Sequence, residues 1–316
     1  MLLTIDALRA AYWHNRANHG CAGADGVTLT EFEHDLPIRL AKLYRAVADE
    51  SYFAWPMRRV VIEKRPGSDE TRTLHVASVG DRVLQTAVAT YLEPLLEREF
   101  NACSFGYRRG RGVRMAVEQV RTLFHEGYTW LVDTDVDDFF DQVARSTVLD
   151  RLATLVPDET AVRLCHLWLD FASWDGVQLT RPATGIPQGA IVSPMLANLC
   201  LDRLDDRMEQ EGIQMVRYSD DFVLLAKSEP AAKRALAIAE ETLEALHLRL
   251  KESKTRVTRF RDGFRFLGVI FLKDLLATPY RTGARQRSKI LSSAPAIAEA
   301  QFPPEQRRPL RGYRLV

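Results

Sequence analysis

Gln214-Met215-Val216-Arg217-Tyr218-Ser219-Asp220-Asp221-Phe222-Val223-Leu224-Leu225-Ala226 is the stretch that decides how this chain folds. Apolar and β-prone residues flank a polar break too short for anything but a tight turn, so the stretch reads as strand Gln214–Tyr218, turn, and strand Phe222–Ala226. The apolar flanks imply central strands, from whose rigid edge Asp220 and Asp221 project. Two adjacent ionised carboxylates repel unless a cation lies beside them. A merely solvated hairpin tip is the plainer reading of any isolated Asp-Asp turn.

A second acid-bearing strand changes the balance. The run Thr129–Val136 reads as buried and ends at Asp135, followed by Asp137, Asp138, Phe139, Phe140 and Asp141. If the two strand ends are neighbours, Asp135, Asp220 and Asp221 converge. Three carboxylates supply the hard oxygen ligands that Mg²⁺ prefers. Two such ions about 3.5–4 Å apart activate a hydroxyl nucleophile and stabilise a phosphate leaving group.

Working outward, residues 1–50 read as helical around the turn His19–Gly26, and Phe53–Val76 as a β-hairpin turning at Pro66-Gly67-Ser68-Asp69. Asp81 is expected to cap a helix through Phe100, with Leu84, Val88, Tyr91, Leu92 and Leu95 on one face. Helices follow at Val113–His125, across 146–172 and at Ser193–Glu211. Another has Ala231, Leu236, Ala239, Leu243 and Leu246 inward. Short strands near Val257 and at Arg265–Ile270 close the order. Strand–helix–strand–strand–helix–strand is the split βαβ arrangement of an α+β fold.

Composition adds limits. The 316 residues are 46% hydrophobic and 27% charged, with net charge +1, as in an ordinary globular protein. Bulk charge therefore says nothing of a polyanionic partner, but its distribution does. Arg58, Arg59, Lys64, Arg65 and Arg72 form one basic group, and Arg108, Arg109, Arg111 and Arg114 another, apart from the acids. Cys21, Cys103, Cys165 and Cys200 lack metal-site spacing and read as reduced thiols of a cytoplasmic protein. No apolar run has membrane-spanning length, and no signal peptide is expected. From Lys273 onward, nine Lys and Arg face Asp274, Glu299 and Glu305, with Pro295, Pro303, Pro304 and Pro309 among them. This reads as a basic tail, contacting phosphate or simply solvated.

Tyr218-Ser219-Asp220-Asp221 resembles the Tyr-x-Asp-Asp box of reverse transcriptases, and further blocks resemble that family in order. They are Ala24-Asp25-Gly26, Asp81-Arg82-Val83-Leu84-Gln85, Ser104-Phe105-Gly106-Tyr107-Arg108-Arg109-Gly110, the acids from Asp135 to Asp141, Thr184–Asn198 with its Pro187-Gln188-Gly189 core, and Phe266-Leu267-Gly268. The form is that of group II intron maturases and their bacterial relatives, across about residues 20–272. Ser219 stands where this class more often has Ala, and Glu63 where it often has Pro. The resemblance implies a right-hand polymerase: fingers over 1–128, a palm over 129–272 with helices behind its antiparallel, ferredoxin-like sheet, residues 146–183 partly returning to the fingers, and 273–316 as a tail or rudimentary thumb. Such a short form fits a domesticated lineage, such as the reverse transcriptases associated with CRISPR adaptation genes, better than a self-contained intron protein.

The resemblance also implies roles. Asp135, Val136, Asp220 and Asp221 hold two Mg²⁺ ions, with Mn²⁺ as substitute, and Lys254 donates a proton to pyrophosphate. Lys64 and Arg72 contact the incoming dNTP triphosphate, Phe140 is the steric gate under C2′, and Gln188 touches the nucleotide or template. Without it, the basic hairpin reads equally as a solvated surface, and Phe140 as core. Arg108, Arg109 and Arg111 suit a phosphate backbone, with Tyr218 beside the template–primer and Phe266, Leu267 and Gly268 as primer grip. The expected partners are an RNA template, a DNA or RNA primer, and a CRISPR adaptation integrase or second copy. The expected activity is RNA-directed DNA polymerisation. The alternatives are a catalytically weak polymerase-fold subunit that binds nucleic acid with a partner, and a nuclease or cyclase on a similar sheet, which the Pro-Gln-Gly and fingers blocks disfavour.

Overall fold

The computed structural model describes residues 3–64, 67 and 69–272, and the backbone of 275–277. The N-terminal helices are α1 (Ile5–Ala17), α2 (Leu29–His34) and α3 (Leu36–Ala48). The hairpin β1 (Met57–Glu63) and β2 (Thr71–Val76) follows, then α4 (Val79–Leu96), α5 (Val113–His125) and β3 (Trp130–Asp135). Next come α6 (Phe139–Gln142), α7 (Arg145–Leu155), α8 (Glu159–Leu169), β4 (Ser173–Trp174) and β5 (Leu179–Thr180). Then α9 (Ser193–Gln210) precedes β6 (Gln214–Tyr218) and β7 (Asp221–Ala226), followed by α10 (Glu229–Ala245), β8 (Arg256–Arg259), β9 (Phe264–Phe266), β10 (Val269–Leu272) and β11 (Leu275–Ala277).

The sheet that positions the acids has the order β6-β7-β3-β8, with every pair antiparallel. Numbered by their own succession, its strands lie 4-1-3-2 from the β8 edge, the split βαβ arrangement. Both faces are covered, which explains the unbroken apolar run Phe222–Ala226 of β7. Val132, Phe222, Leu224 and Ala226 join the large core with Leu199, Leu204, Ala239 and Leu243 of α9 and α10. Leu131, Val216, Val223 and Leu225 pack instead with Ala116, Val120 and Leu123 of α5 and with Phe260, Phe264, Phe266 and Phe271. A second sheet, β2-β1-β4-β5, carries the long hairpin, with β1 and β4 parallel.

The structure corrects several expectations. Ser78, not Asp81, caps α4: its hydroxyl accepts from the Asp81 amide. The buried Asp81 carboxylate instead accepts from Tyr52 (2.6 Å) and from the Trp55 amide (3.1 Å). The helical span 146–172 is two helices, and the Asp158 side chain caps the second. On α10, Ala231 is exposed, while Ala232 and Ala235 lie inward. The strand expected at Arg265–Ile270 is a hairpin turning at Leu267-Gly268, where Phe266 pairs with Val269. Arg65 and, but for the β11 backbone, the basic segment 273–316 lie outside the described residues.

Candidate active site

The ladder between β3 and β7 sets Asp135 directly opposite Asp221. Tyr218 pairs with Asp221 across the β6–β7 hairpin, leaving Ser219 and Asp220 as a two-residue loop with Ser219 at φ +62°. The Val136 amide donates to the Asp220 carbonyl at 3.3 Å, fastening that loop to the end of β3. The three acids therefore meet at one sheet edge. Burial, then Asp135 and Asp220, push the Asp221 carboxyl up to about 7. Burial, then Asp135, also raises Asp220. Excess negative charge in a desolvated corner suits a cation.

Lysines and arginines already border this corner. Lys254 Nζ donates to Asp135, Lys251 lies 3.1 Å from Asp137, and Arg256 lies 2.7 Å from Asp133. Among the described residues no three His, Cys, Asp or Glu side chains form a ready ligand group, and Asp135 faces the Lys254 ammonium. The donor chemistry nonetheless fits a hard divalent ion, with substrate oxygens completing its shell. Val136 has no donor atom in its buried side chain, so only its backbone carbonyl can ligate.

The residues expected to contact the nucleotide are held in different ways. Phe139 is core, whereas Phe140 is half-buried and stands edge-on to it, ring centroids 5.4 Å apart. The Ile186 amide donates to the Phe140 carbonyl at 2.7 Å, and a Cβ on Gly185 would lie 2.6 Å from that oxygen. Only glycine permits that approach, which holds Phe140 beside the Pro-Gln-Gly turn. The His75 amide donates to the Gln188 carbonyl at 2.6 Å, and Gln85 accepts from the Ile191 amide, tying the same turn to β2 and α4. Arg72 pairs with Ile62 in the hairpin and is exposed, and Lys64 lies 3.9 Å from Glu70.

Arg108 departs from its expected role. It is buried, forms a two-nitrogen fork on Glu97, and donates to the carbonyls of Phe100, Asn101 and Ser104. Its donors are spent within the protein. Arg111 donates to Ala102 and Ser104, and Arg109 is exposed. Leu267 (φ +50°) and Gly268 (φ +80°) form a two-residue hairpin loop. Both positions lie in the left-handed region, which a leucine rarely adopts. Phe266 anchors the loop in the core.

Two features escaped the sequence. Tyr107 is 58% exposed at φ +55°, with its ring 6.1 Å from that of Tyr218. Desolvation, then Asp220 and Tyr218, raise its phenol, and Arg72 opposes them. The other is Arg217, wholly buried on Asp205. An arginine inside an apolar strand had to be paired somewhere, and that signal was legible.

Fold and site together define a polymerase palm with fingers. The family described as reverse transcriptase (RNA-dependent DNA polymerase) matches residues 62–271, more than half of the chain. Protein YkfC of Escherichia coli is 30% identical over 78% of this chain and 74% of its own length. The group II intron-encoded protein LtrA of Lactococcus lactis is 28% identical over 70% of this chain, which spans only 37% of LtrA. In structure, telomerase from Candida albicans superposes with a TM-score of 0.60 at 12% identity, covering 83% of this chain and 52% of the telomerase chain. The chain belongs to the reverse transcriptase family, in its group II intron-like class, a family of nucleotidyltransferases that use divalent metal ions. No described helix is long and apolar enough to cross a membrane.

Proposed function

We propose that this chain extends a primer 3′-hydroxyl with dNTPs on an RNA template, using two metal ions. The observation that carries the reading is the meeting of Asp135, Asp220 and Asp221 at one sheet edge. Asp135, Asp220, Asp221 and the Val136 carbonyl would hold Mg²⁺, with Mn²⁺ as substitute. When bound, the ions activate the hydroxyl and neutralise the departing pyrophosphate. Lys254, which donates to Asp135, would give a proton to the leaving oxygen. Arg72 and Lys64 grip the triphosphate, Phe140 excludes the 2′-hydroxyl, Gln188 and Tyr218 border the base pair, and the Leu267-Gly268 loop supports the primer.

The test is Mg²⁺-dependent extension of oligo(dT) on poly(rA), with Asp220→Ala as control. Mg²⁺-dependent products from the wild type, none from the control, support the reading; equal products from both refute it. A second reading, binding without turnover, is favoured by the Lys254–Asp135 pair, and the same extension excludes it. The partner named is a CRISPR adaptation integrase or a second copy, which size-exclusion of the chain alone and with an integrase would separate.

A further inference from the structure

The Asp220–Asp221 turn rests on a buried polar group with no place in the chemistry above. Arg217, Asp205 and Asn198 are all essentially inaccessible to solvent. Arg217 Nε donates to Asp205 Oδ1 at 2.6 Å, and its Nη2 donates to Asp205 Oδ2. Its Nη1 donates to two acceptors at 3.0 Å, Asn198 Oδ1 and the Ser219 carbonyl. Asn198 Nδ2 donates in turn to the Gly106 carbonyl at 2.7 Å. Gly106 precedes Tyr107, and a Cβ there would lie 2.5 Å from the Ser219 amide nitrogen. Backbone bonds Phe105 N to Arg217 O and Arg217 N to Cys103 O, both 2.8 Å, clamp the same segment along β6.

Two readings compete. A buried ion pair is weak support for stability, since apolar residues of like volume often replace it at no loss. A group kept only for stability would also have no reason to reach the carbonyl of Ser219, the left-handed residue of the turn. Burial costs Arg217 its hydration, but Asp205 more than compensates and holds the guanidinium above its ordinary pKa. The charge is thus permanent and the fork rigid. Asn198 reads both sides at once: one end of its amide meets Arg217 and the other meets the backbone that carries Tyr107.

We propose that Asn198, Asp205 and Arg217 form a positioning frame that fixes the Asp220–Asp221 turn relative to Tyr107. None of the three touches substrate. They act by holding the Ser219 and Gly106 carbonyls, so that the carboxylates and the ring keep one spacing. The proposal rests on the polymerase reading only for its kinetic consequence.

The test compares wild type with the double variant Asp205→Leu/Arg217→Met, which removes the charges together and keeps the volume. Thermal unfolding should be retained. In primer extension kcat should fall at least about tenfold while KM for dNTP stays within about threefold, the signature of misplaced reacting groups. Hydrogen exchange of the segment 218–222, measured without metal, should accelerate. A folded double variant with unchanged kcat and unchanged exchange overturns the frame. Should the double variant not fold, Asn198→Ala, which strands no charge, is expected to give the same split, and wild-type kcat in it overturns the proposal. If the wild type extends no primer, the polymerase reading fails, and the exchange measurement alone decides for or against the frame.

Discussion

Asp135 and Asp221 face each other across the β3–β7 ladder, two like charges at directly paired positions. Such pairs destabilise a sheet by roughly 0.2–1 kcal/mol, so the site is held against its own repulsion. Asp221→Asn should therefore raise Tm in metal-free buffer by about 2 °C while abolishing nucleotide incorporation. Adding Mg²⁺ should raise the wild-type Tm more than the variant's. A lower Tm in the metal-free variant, or retained incorporation, would sink this account.

Phe140 differs from its neighbour Phe139 in what it covers. Phe139 is core, and Phe140 is half-buried against that core while its backbone is pinned by Ile186. Phe140→Ala should leave folding intact and relax discrimination against ribonucleotides by a factor on the order of ten to a hundred, the scale of about 1–3 kcal/mol in a pocket. Competition between dATP and ATP on a poly(rU) template measures it, and unchanged selectivity in the folded variant would return Phe140 to the core.

Tyr107 makes a different kind of contact. An exposed ring at a left-handed position beside Tyr218, itself next to the Asp220–Asp221 turn in sequence, offers a π-face to a base pair. Stacking of a base on an aromatic side chain contributes about 1–3 kcal/mol. Tyr107→Leu should weaken dNTP or primer–template binding by roughly five- to a hundredfold, and Tyr107→Phe should keep most of the affinity. Equal loss in both variants would point to the hydroxyl and away from stacking.

What could be read in advance follows from the range of each interaction. The hairpins Met57–Val76 and Gln214–Ala226 and the strand at Trp130 are local patterns of period and turn, and the antiparallel order within each hairpin follows from its short connection. The meeting of Asp135 with Asp221 was legible because both lie at ends of apolar strands, where few geometries are available. Arg108 was misjudged because its partners, Glu97 and three carbonyls, form a compact turn that no periodicity announces. Arg217 with Asp205 and Asn198 needs α9 packed on β6, a tertiary fact. Asp81 carries the residue type of a cap, yet its carboxylate found better donors in Tyr52 and Trp55.

The Leu267-Gly268 loop carries a cost that a stability-optimised hairpin would avoid, since a side chain at φ +50° is strained where asparagine is tolerated. Leu267→Asn trades partly buried apolar surface for relaxed backbone, so stability should change by less than about 1 kcal/mol. Primer–template affinity should fall if the leucine is what the primer meets. Filter binding of an RNA–DNA duplex to the folded variant at wild-type strength would remove Leu267 from the grip.

His75 links the fingers hairpin to the Pro-Gln-Gly turn and is held neutral. Its ring is buried edge-on to Phe171, with Nδ1 unpartnered, and desolvation, then Arg59, lower its pKa from 6.5 to about 4. Between those values the unfolded chain binds a proton that the folded chain refuses. Stability therefore rises with pH across that window, is fully present above about 6.5, and is lost as pH falls toward 4. The whole displacement corresponds to about 3 kcal/mol. His75→Leu cannot titrate, so its unfolding free energy should decline less than that of the wild type when urea titrations at pH 7 and pH 4.5 are compared, by about 2–3 kcal/mol. Because the His75 amide holds the Gln188 carbonyl, wild-type primer extension should also fall first at the acidic end, where the ring must charge. Parallel stability profiles of variant and wild type would show that His75 is already protonated, or already solvated, in the folded chain.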